Sequence, residues 1–99
     1  MFPKDDKRRL YQLIDMLLAG QITASIFCDE FYYSYDLEID YDMLSSLEYS
    51  AFSELEQVSS RFSEFKDDHE KYPGVYSDEE ELKQKAIETI QKLRKQNSG

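Results

Sequence analysis

Apolar residues recur at helical spacing in the first twenty positions of the chain. They follow the order i, i+3, i+4, i+7 and i+8, which places all of them on one face of an α-helix. Pro3 suits the start of a helix, and Gly20 can end one because it tolerates the left-handed conformation of a C-terminal cap. We therefore predict a first helix from Lys4 to Ala19. Its buried stripe consists of Leu10, Leu13, Ile14, Leu17 and Leu18.

A second helix is predicted to begin after Thr23. The Thr23 hydroxyl can accept a free backbone N–H as an N-cap, and Ile22 and Phe27 occupy the two positions of a hydrophobic staple. The apolar positions continue at helical spacing until the helix ends near Asp36. The side chains predicted to be buried are Ile26, Phe27, Phe31 and Tyr35.

The third helix is predicted to follow a short polar connection. Residues 37–42 alternate apolar and acidic side chains, but no second strand-like segment is present to pair with them, so we interpret them as an extended connection. Asp42 is the candidate N-cap of a helix that runs from Met43 to Phe62. Its apolar positions are three or four residues apart, as in the seam of a bundle helix. They are Leu44, Leu47, Ala51, Leu55, Val58 and Phe62.

The fourth helix is predicted after a loop at residues 63–76, which contains the turn-forming sequence YPGVYS. Ser77 and Glu80 then match a capping box, in which the side chain of each residue binds the backbone N–H of the other. Acidic residues in the first helical turn are also favoured by the helix dipole. The apolar face of this helix carries Leu82, Ala86, Ile90 and Leu93.

Four amphipathic helices without a credible strand pair predict an all-α fold, specifically an antiparallel four-helix bundle. The chain has 99 residues, which is the size of one domain with a single core. Leu, Ile, Val and Phe account for 24 of them, just above the ~20% level below which a highly charged chain usually stays unfolded. We predict a single domain at residues 1–96 and a frayed C-terminal tail at residues 97–99.

The net charge of −9 is unevenly distributed along the chain. Residues 28–81 contain 17 acidic and 3 basic side chains, whereas the remaining residues contain 4 acidic and 9 basic ones. An acidic middle repels phosphate, because affinity for nucleic acid comes mainly from Lys and Arg. The charge distribution therefore argues against direct binding of nucleic acid and favours a basic protein partner.

The acidic side chains of the middle are interleaved with tyrosines. Residues 29–42 read DEFYYSYDLEIDYD, which contains six carboxylates and no base, and a second acid–aromatic set lies at residues 65–72. A plain solvated face is one interpretation. Against it, the acids of residues 29–42 lack bases at helical spacing, and tyrosine is enriched at binding surfaces. We predict a protein-binding face that consists of Asp29, Tyr33, Asp36, Glu38, Asp40, Tyr41, Asp42, Asp67, Asp68, Glu70 and Tyr72.

No catalytic or metal-binding motif is recognisable in the sequence. Cys28 is the only cysteine and His69 the only histidine, and acidic neighbours disfavour the reactive thiolate form of Cys28. A calcium loop that starts at Asp36 would need glycine and glutamate where the chain has Tyr41 and Leu47. We therefore expect no enzyme activity, no cofactor and no bound metal.

The sequence also bears on the compartment. No segment approaches the ~20 apolar residues of a membrane span, and the N-terminal sequence MFPKDDKRRL lacks the apolar core of a secretory signal. The single cysteine cannot form an internal disulfide and gives no sign of an oxidising compartment. We expect a cytoplasmic protein without membrane contact that is monomeric before it binds its partner.

Three longer stretches resemble a known protein family. LIDMLLAGQITASIFCDEFYYSYDLE, EYSAFSELEQVSSRFS and YPGVYSDEEELKQKA are similar to bacterial colicin-like immunity proteins, a group that includes colicin D immunity proteins and proteins that accompany contact-dependent inhibition toxins. The resemblance covers most of residues 10–95. It implies a four-helix bundle that binds and blocks a nuclease toxin, often one that cuts tRNA. In that family, acidic residues occupy the basic substrate cleft of the toxin in place of phosphates.

The resemblance and the charge pattern lead to one leading hypothesis. We expect an immunity protein that neutralises a cognate basic nuclease toxin by covering its active site with an acidic, tyrosine-rich face. The alternative is a non-enzymatic adaptor or structural helical bundle that binds another partner. A third reading is a small metal-dependent enzyme, which would contain bound metal after purification.

Overall fold

The computed structural model of the chain describes residues 1–97, and within this range the fold is all-α, as predicted. The only β-type contact in these residues is an isolated bridge between Phe62 and Ser77. The last helix extends to Asn97, the first residue of the predicted tail, and residues 98 and 99 lie outside the described range. The helices are α1 (Arg8–Leu18), α2 (Ala24–Phe31), a π-helix (Tyr32–Asp36), a 3₁₀ turn (Tyr41–Met43), α3 (Ser46–Ser59), α4 (Lys66–Lys71) and α5 (Glu79–Asn97).

α1 begins four residues later than predicted. The carbonyl of Pro3 accepts the N–H of Asp6 at 3.1 Å, and the Asp6 carboxylate accepts the N–H of Arg8 at 2.9 Å. These two bonds form a turn ahead of the helix, so Pro3 starts that turn and not the helix. The predicted stripe is buried except for Leu18, which is half-buried. The C-terminal end is as predicted, with Gly20 at a φ of 74°.

α2 and the π-helix form one continuous buried face. Thr23 is the N-cap, as predicted, and its hydroxyl accepts the N–H of Ile26 at 3.2 Å. The Ile26 side chain is 48% exposed, against prediction, because the inner face follows residues three and four apart starting at Ala24. The π-helix widens the helical turn, which lets this face continue to residue 35. The buried side chains are Ala24, Phe27, Phe31, Ser34 and Tyr35.

α3 begins three residues later than predicted, at Ser46. Leu44 has an extended backbone, with φ at −96° and ψ at 143°, and it separates the 3₁₀ turn from the helix. Ser45 is the N-cap: its hydroxyl accepts the N–H of Glu48 at 3.0 Å, and the Glu48 carboxylate accepts the N–H of Ser45 at 2.9 Å. The predicted cap Asp42 is therefore wrong, because this complete capping box satisfies the start of the helix and Asp42 lies in the 3₁₀ turn.

The predicted loop at residues 63–76 contains the short helix α4. Two backbone bonds close this segment at its ends. The N–H of Ser63 donates to the carbonyl of Ser77 at 3.0 Å, and the N–H of Ser77 donates to the carbonyl of Arg61 at 2.8 Å. These bonds also explain why α3 stops at Ser59 and not at Phe62, because the chain has already left the helical path to form them.

α5 is capped by Asp78 and not by Ser77. The Asp78 carboxylate accepts the N–H of Glu81 at 2.8 Å, whereas the Ser77 hydroxyl donates to the carbonyl of Val58 at 2.6 Å. Ser77 is buried, so its hydroxyl needs this partner, and the bond ties the start of α5 to the last turn of α3. The predicted capping box of Ser77 and Glu80 is wrong by one residue.

The core lies between α1, α2, α3 and α5. α3 packs against α5, and α1 packs against both α2 and α5. On α3 the sequence analysis missed Phe52, which is fully buried and meets the Tyr11 ring edge-on at 5.4 Å. The α3 positions that are buried as predicted are Ala51 and Leu55, whereas Leu44, Leu47, Val58 and Phe62 are only partly buried.

The Glu48 carboxylate joins the start of α3 to α1. Besides the Ser45 N–H, it accepts bonds from Lys7 Nζ at 3.0 Å and from the Tyr11 hydroxyl at 2.6 Å. Burial alone would raise the pKa of Glu48, but the hydrogen bonds from Ser45, Tyr11 and Lys7 together lower it below its ordinary value of 4.5. The ionised carboxylate is therefore a stabilising part of the fold.

We expect Glu48→Ala to lower the free energy of unfolding by about 1–3 kcal/mol at pH 7, because three bonds are lost and their donors are left without this acceptor. A depressed pKa adds stability above the ordinary value of 4.5, and this is lost as the pH falls through the lower folded value. Urea unfolding at pH 7 and pH 3 measures the effect. The gap between the variant and the wild type should shrink at pH 3. If the variant and the wild type differ in unfolding free energy equally at both pH values, the ionised Glu48 carboxylate does not stabilise the fold. The control is Glu80→Gln, at an exposed position on α5.

Candidate protein-binding surface

Ion pairs connect the basic ends of the chain to part of its acidic middle. The fold therefore cancels some of the charge imbalance that the linear sequence displays. The pairs are Lys7–Glu48 (3.0 Å), Arg9–Glu30 (2.6 Å), Lys92–Glu54 (3.2 Å) and Lys85–Glu54 (3.5 Å).

A second group of acids remains without such partners. Within residues 1–97, no Lys, Arg or His side chain lies within ion-pair distance of them. All of them lie on α2, on the π-helix and its following connection, on the outer side of α3, or between α3 and the end of α4. They are Asp29, Asp36, Glu38, Asp40, Asp42, Glu56, Glu64, Asp67 and Asp68.

An open groove of about 510 Å³ brings several of these acids together. It lies between α2 with the start of the π-helix on one side, and the end of α3 with the start of α4 on the other. Two predicted residues from distant parts of the sequence meet here, Asp29 and Asp68. The acidic side chains that line the groove are Asp29, Glu56, Glu64 and Asp68, and the aromatic ones are Tyr32, Phe62, Phe65 and Tyr76.

Glu56 connects this groove to the predicted Asp36. Burial raises the pKa of Glu56 above its ordinary value of 4.5, and the negative charge of Asp36 raises it further. Burial, followed by Asp36 and Tyr49, also raises the pKa of Tyr41 above 10.0. Both shifts have the same two causes, which are burial first and the negative charge of Asp36 second. We call Asp29, Asp36, Tyr41, Glu56 and Asp68 the acidic face.

A line of aromatic rings supports the acidic face from the core. Phe31 stacks on Tyr35 with ring centroids 5.4 Å apart, Tyr35 contacts Tyr41 at 5.3 Å, and Tyr41 meets Tyr49 at 5.5 Å. The Tyr35 hydroxyl is hydrogen-bonded to Ser53. The two outer rings, Tyr41 and Tyr49, are nearly half exposed and are held in place by the buried ones. Such pre-positioned rings lose little entropy when a partner covers them.

The connection after the π-helix carries the remaining predicted acids of the first stretch. Glu38, Asp40 and Asp42 are all exposed, and the Asp40 carboxylate accepts the N–H of Asp42 at 3.0 Å. Asp40 therefore has a local structural role in addition to its charge. Residues 37–42 are predicted to form an extended connection. The connection is not extended throughout, because this bond starts the 3₁₀ turn. The predicted Tyr33 is exposed, with the Lys4 ammonium over its ring at 5.4 Å.

The predicted residues on and after α4 fall into two groups. The Asp68 carboxylate lines the groove and accepts the Ser63 hydroxyl at 2.5 Å, and Asp67 is exposed. Glu70 instead forms a surface pair with Lys66 at 3.8 Å. Tyr72 follows α4 and packs edge-on against Tyr76. Neither Glu70 nor Tyr72 lines the groove.

Sequence reasoning missed four residues of this surface: Tyr32, Tyr49, Glu56 and Phe65. Tyr49 and Glu56 lie seven residues apart on α3, which places them on one side of that helix, away from the buried Phe52. That spacing was readable from the sequence. The proximity of Glu56 to Asp36 was not, because it depends on how α3 packs beside the π-helix.

Cys28 lies at the groove but is unsuited to nucleophilic chemistry. Burial, and then the charge of Asp29, raise the pKa of the thiol from 9.0 to about 12. We expect iodoacetamide to alkylate folded Cys28 at pH 8 at least a hundredfold more slowly than the urea-unfolded chain, because a rise of three pKa units lowers the thiolate fraction by about a thousandfold. Mass spectrometry of timed samples measures both rates. Similar rates in the folded and unfolded chain would show that the thiol is not protected in this way.

Comparisons of the chain with family models, curated proteins and solved structures found no match. Within residues 1–97, no helix combines the length and the apolar character needed to cross a membrane. In the same residues, no three side chains among His, Cys, Asp and Glu are grouped so that they could hold a metal ion.

Proposed function

We propose that this chain is an immunity protein of the colicin-like type, which binds a basic nuclease toxin domain and covers its active site. One observation carries the proposal: a contiguous set of carboxylates has no cation within the described chain, and it lies beside exposed tyrosines that are anchored in the core. The sequence resemblance to colicin-like immunity proteins names the class of partner. The proposed toxin is a bacteriocin or contact-dependent inhibition domain that cleaves tRNA.

The proposed mechanism is occlusion. A nuclease cleft presents Arg and Lys to hold RNA phosphates, and carboxylates of the acidic face can accept the same charge-assisted hydrogen bonds. Tyr41 and Tyr49 would then bury apolar ring surface and exclude water around these contacts. The chain itself performs no catalytic step and needs no cofactor. It does not bind RNA, because its acids repel phosphate.

The proposal includes an architecture and a place of action. α1, α2, α3 and α5 would be the four helices of an antiparallel bundle, with α4 inserted in the connection between the last two. The chain would be a cytoplasmic monomer until it meets the toxin, which it would bind with one-to-one stoichiometry.

The test uses the product of the gene directly upstream of this chain's gene, because an immunity gene is expected to follow the gene of its toxin. Bacteria that express the toxin domain should grow only when the chain is co-expressed, and purified toxin should lose nuclease activity at one equivalent of the chain. The control is a variant of the chain that carries Glu80→Gln and Glu81→Gln at exposed sites on α5, away from the acidic face. It should protect as the wild type does. Undiminished nuclease activity at an excess of folded chain would overturn the proposal.

A further inference from the structure

The groove between α2 and the α3–α4 connection has aromatic walls that remain open to solvent. The Tyr32 side chain is 48% exposed, and the Phe65 side chain is 64% exposed. Phe65 is on the connection before α4, where the Ser63 hydroxyl accepts its backbone N–H at 3.1 Å. The two rings therefore come from separate parts of the sequence and are held at one concave site of about 510 Å³. Exposed rings in a concavity indicate a surface that another group covers.

The charge at the groove determines the kind of occupant. Asp29, Glu56, Glu64 and Asp68 line it, and no Lys or Arg does so in the described part of the chain. The Ser63 hydroxyl already occupies one oxygen of Asp68. Asp29, Glu56 and Glu64 can each still accept hydrogen bonds from a ligand, because a carboxylate has about four acceptor sites and Glu56 shares only one side-chain hydrogen bond, with Asp36. An anionic or neutral occupant would leave this charge uncompensated, so the occupant is a cation.

Rings and carboxylates together favour a guanidinium over an ammonium group. Guanidinium is planar, stacks on aromatic faces, donates five N–H bonds in a fixed fork and is weakly hydrated. Ammonium is compact and strongly hydrated, and it gains less from an open aromatic wall. A concave site with two exposed rings and three available carboxylates therefore matches guanidinium better than ammonium.

We propose that the groove is the docking site for an arginine side chain of the partner, with the guanidinium against Tyr32 and Phe65 and paired with Asp29 and Glu56. This inference rests on the proposed function, since the partner is a basic toxin domain. It adds that recognition is specific for arginine and is located beside α2, whereas Tyr41 in the 3₁₀ turn and Tyr49 near the start of α3 contact the partner outside the groove.

The first test uses short peptides of known composition as probes. The 15N-labelled chain is titrated with acetyl-Gly-Arg-Gly-Arg-Gly-amide, with the lysine peptide and with the uncharged citrulline peptide, and amide shifts are followed by NMR. The arginine peptide should shift residues of the groove and bind about two- to fivefold more tightly than the lysine peptide, which is the range of a cation–π contribution at an exposed site. Citrulline should have no effect. Equal binding of arginine and lysine, or shifts centred on the start of α5, would overturn the inference.

Variants assign the preference to the groove. Tyr32→Leu should reduce the arginine-over-lysine ratio towards one with little loss of total binding, whereas Glu56→Gln should weaken both peptides. Glu80→Gln should change neither. A circular dichroism spectrum and melt of each variant establishes that it is folded. An unchanged ratio in folded Tyr32→Leu would contradict the role of the ring, and the wild-type peptide comparison stands even if a variant fails to fold.

Toxin binding separates this inference from the proposed function. One outcome is that the toxin domain binds the double variant Tyr32→Leu, Glu56→Gln as tightly as the wild type. The arginine-docking inference is then wrong and the immunity function stands. If the peptides discriminate as expected but the toxin domain does not bind, the immunity function is wrong and the groove still recognises arginine.

Discussion

Phe52→Ala is expected to lower the free energy of unfolding by ~3–5 kcal/mol, because it removes a large, fully buried ring from the centre of the core. The Phe52 ring contacts those of Tyr11, Phe31 and Tyr35, with centroids between 5.4 and 6.3 Å away. A domain of this size has a total stability of about 5–15 kcal/mol. The substitution should therefore remove a large fraction of it.

Urea unfolding followed by circular dichroism measures this change. Phe65→Ala is the matched control, because the same ring is removed at a position that is 64% exposed, and its effect should stay within about 0.5 kcal/mol. If the two variants unfold at the same urea concentration, Phe52 is not a core residue and the arrangement of α3 against α1 is wrong.

Toxin binding is expected to weaken by a hundredfold or more in the triple variant that carries Asp29→Asn, Asp36→Asn and Glu56→Gln. The reason is that removing one partner of a desolvated charge pair costs about 2–5 kcal/mol. The variant's own stability at pH 7 should not fall. Burial and Asp36 raise the pKa of Glu56, so the folded state favours the protonated form and ionisation opposes folding above pH 4.5. Removing that charge relieves the repulsion.

Isothermal titration of the toxin domain measures the affinity of the triple variant. The control carries the same loss of three charges elsewhere, as Glu80→Gln, Glu81→Gln and Glu88→Gln on the exposed side of α5. The control should bind nearly as the wild type does at moderate salt. If both variants lose affinity equally, only net charge matters and the acidic face is not the contact surface.

Helix periodicity predicted the buried stripes of α1 and α5 well, because a long amphipathic pattern admits one inner face. The helix starts were harder to predict. Ser45 and Glu48 form a complete capping box three residues after the chosen cap, and local sequence could have found it. The start of α5 could not be predicted in this way, because Ser77 is withdrawn from capping by its bond to Val58, a tertiary contact.

The acidic face was predictable in character but not in extent. Tyrosines and unpaired acids in residues 29–42 indicated a binding surface, and Asp29, Asp36 and Tyr41 are part of the acidic face that we propose as this surface. Two features of this surface could be found only from the three-dimensional structure. Lys7 and Arg9 neutralise Glu48 and Glu30 across long sequence separations, so these two acids are not part of the acidic face. Glu56 joins that surface only because α3 lies beside the π-helix.

The rate of association with the toxin domain, measured by stopped-flow mixing at several salt concentrations, tests whether the acidic face attracts a basic cleft. Between ~10 mM and ~1 M salt the screening length falls from ~30 Å to ~3 Å, so attraction between the acidic face and a basic cleft should be lost. Association is expected to slow by at least about tenfold, as for electrostatically steered pairs, whereas dissociation should change much less because the final contacts exclude ions. An association rate that is independent of salt would mean that the acids are only a solvated face and do not attract the toxin domain.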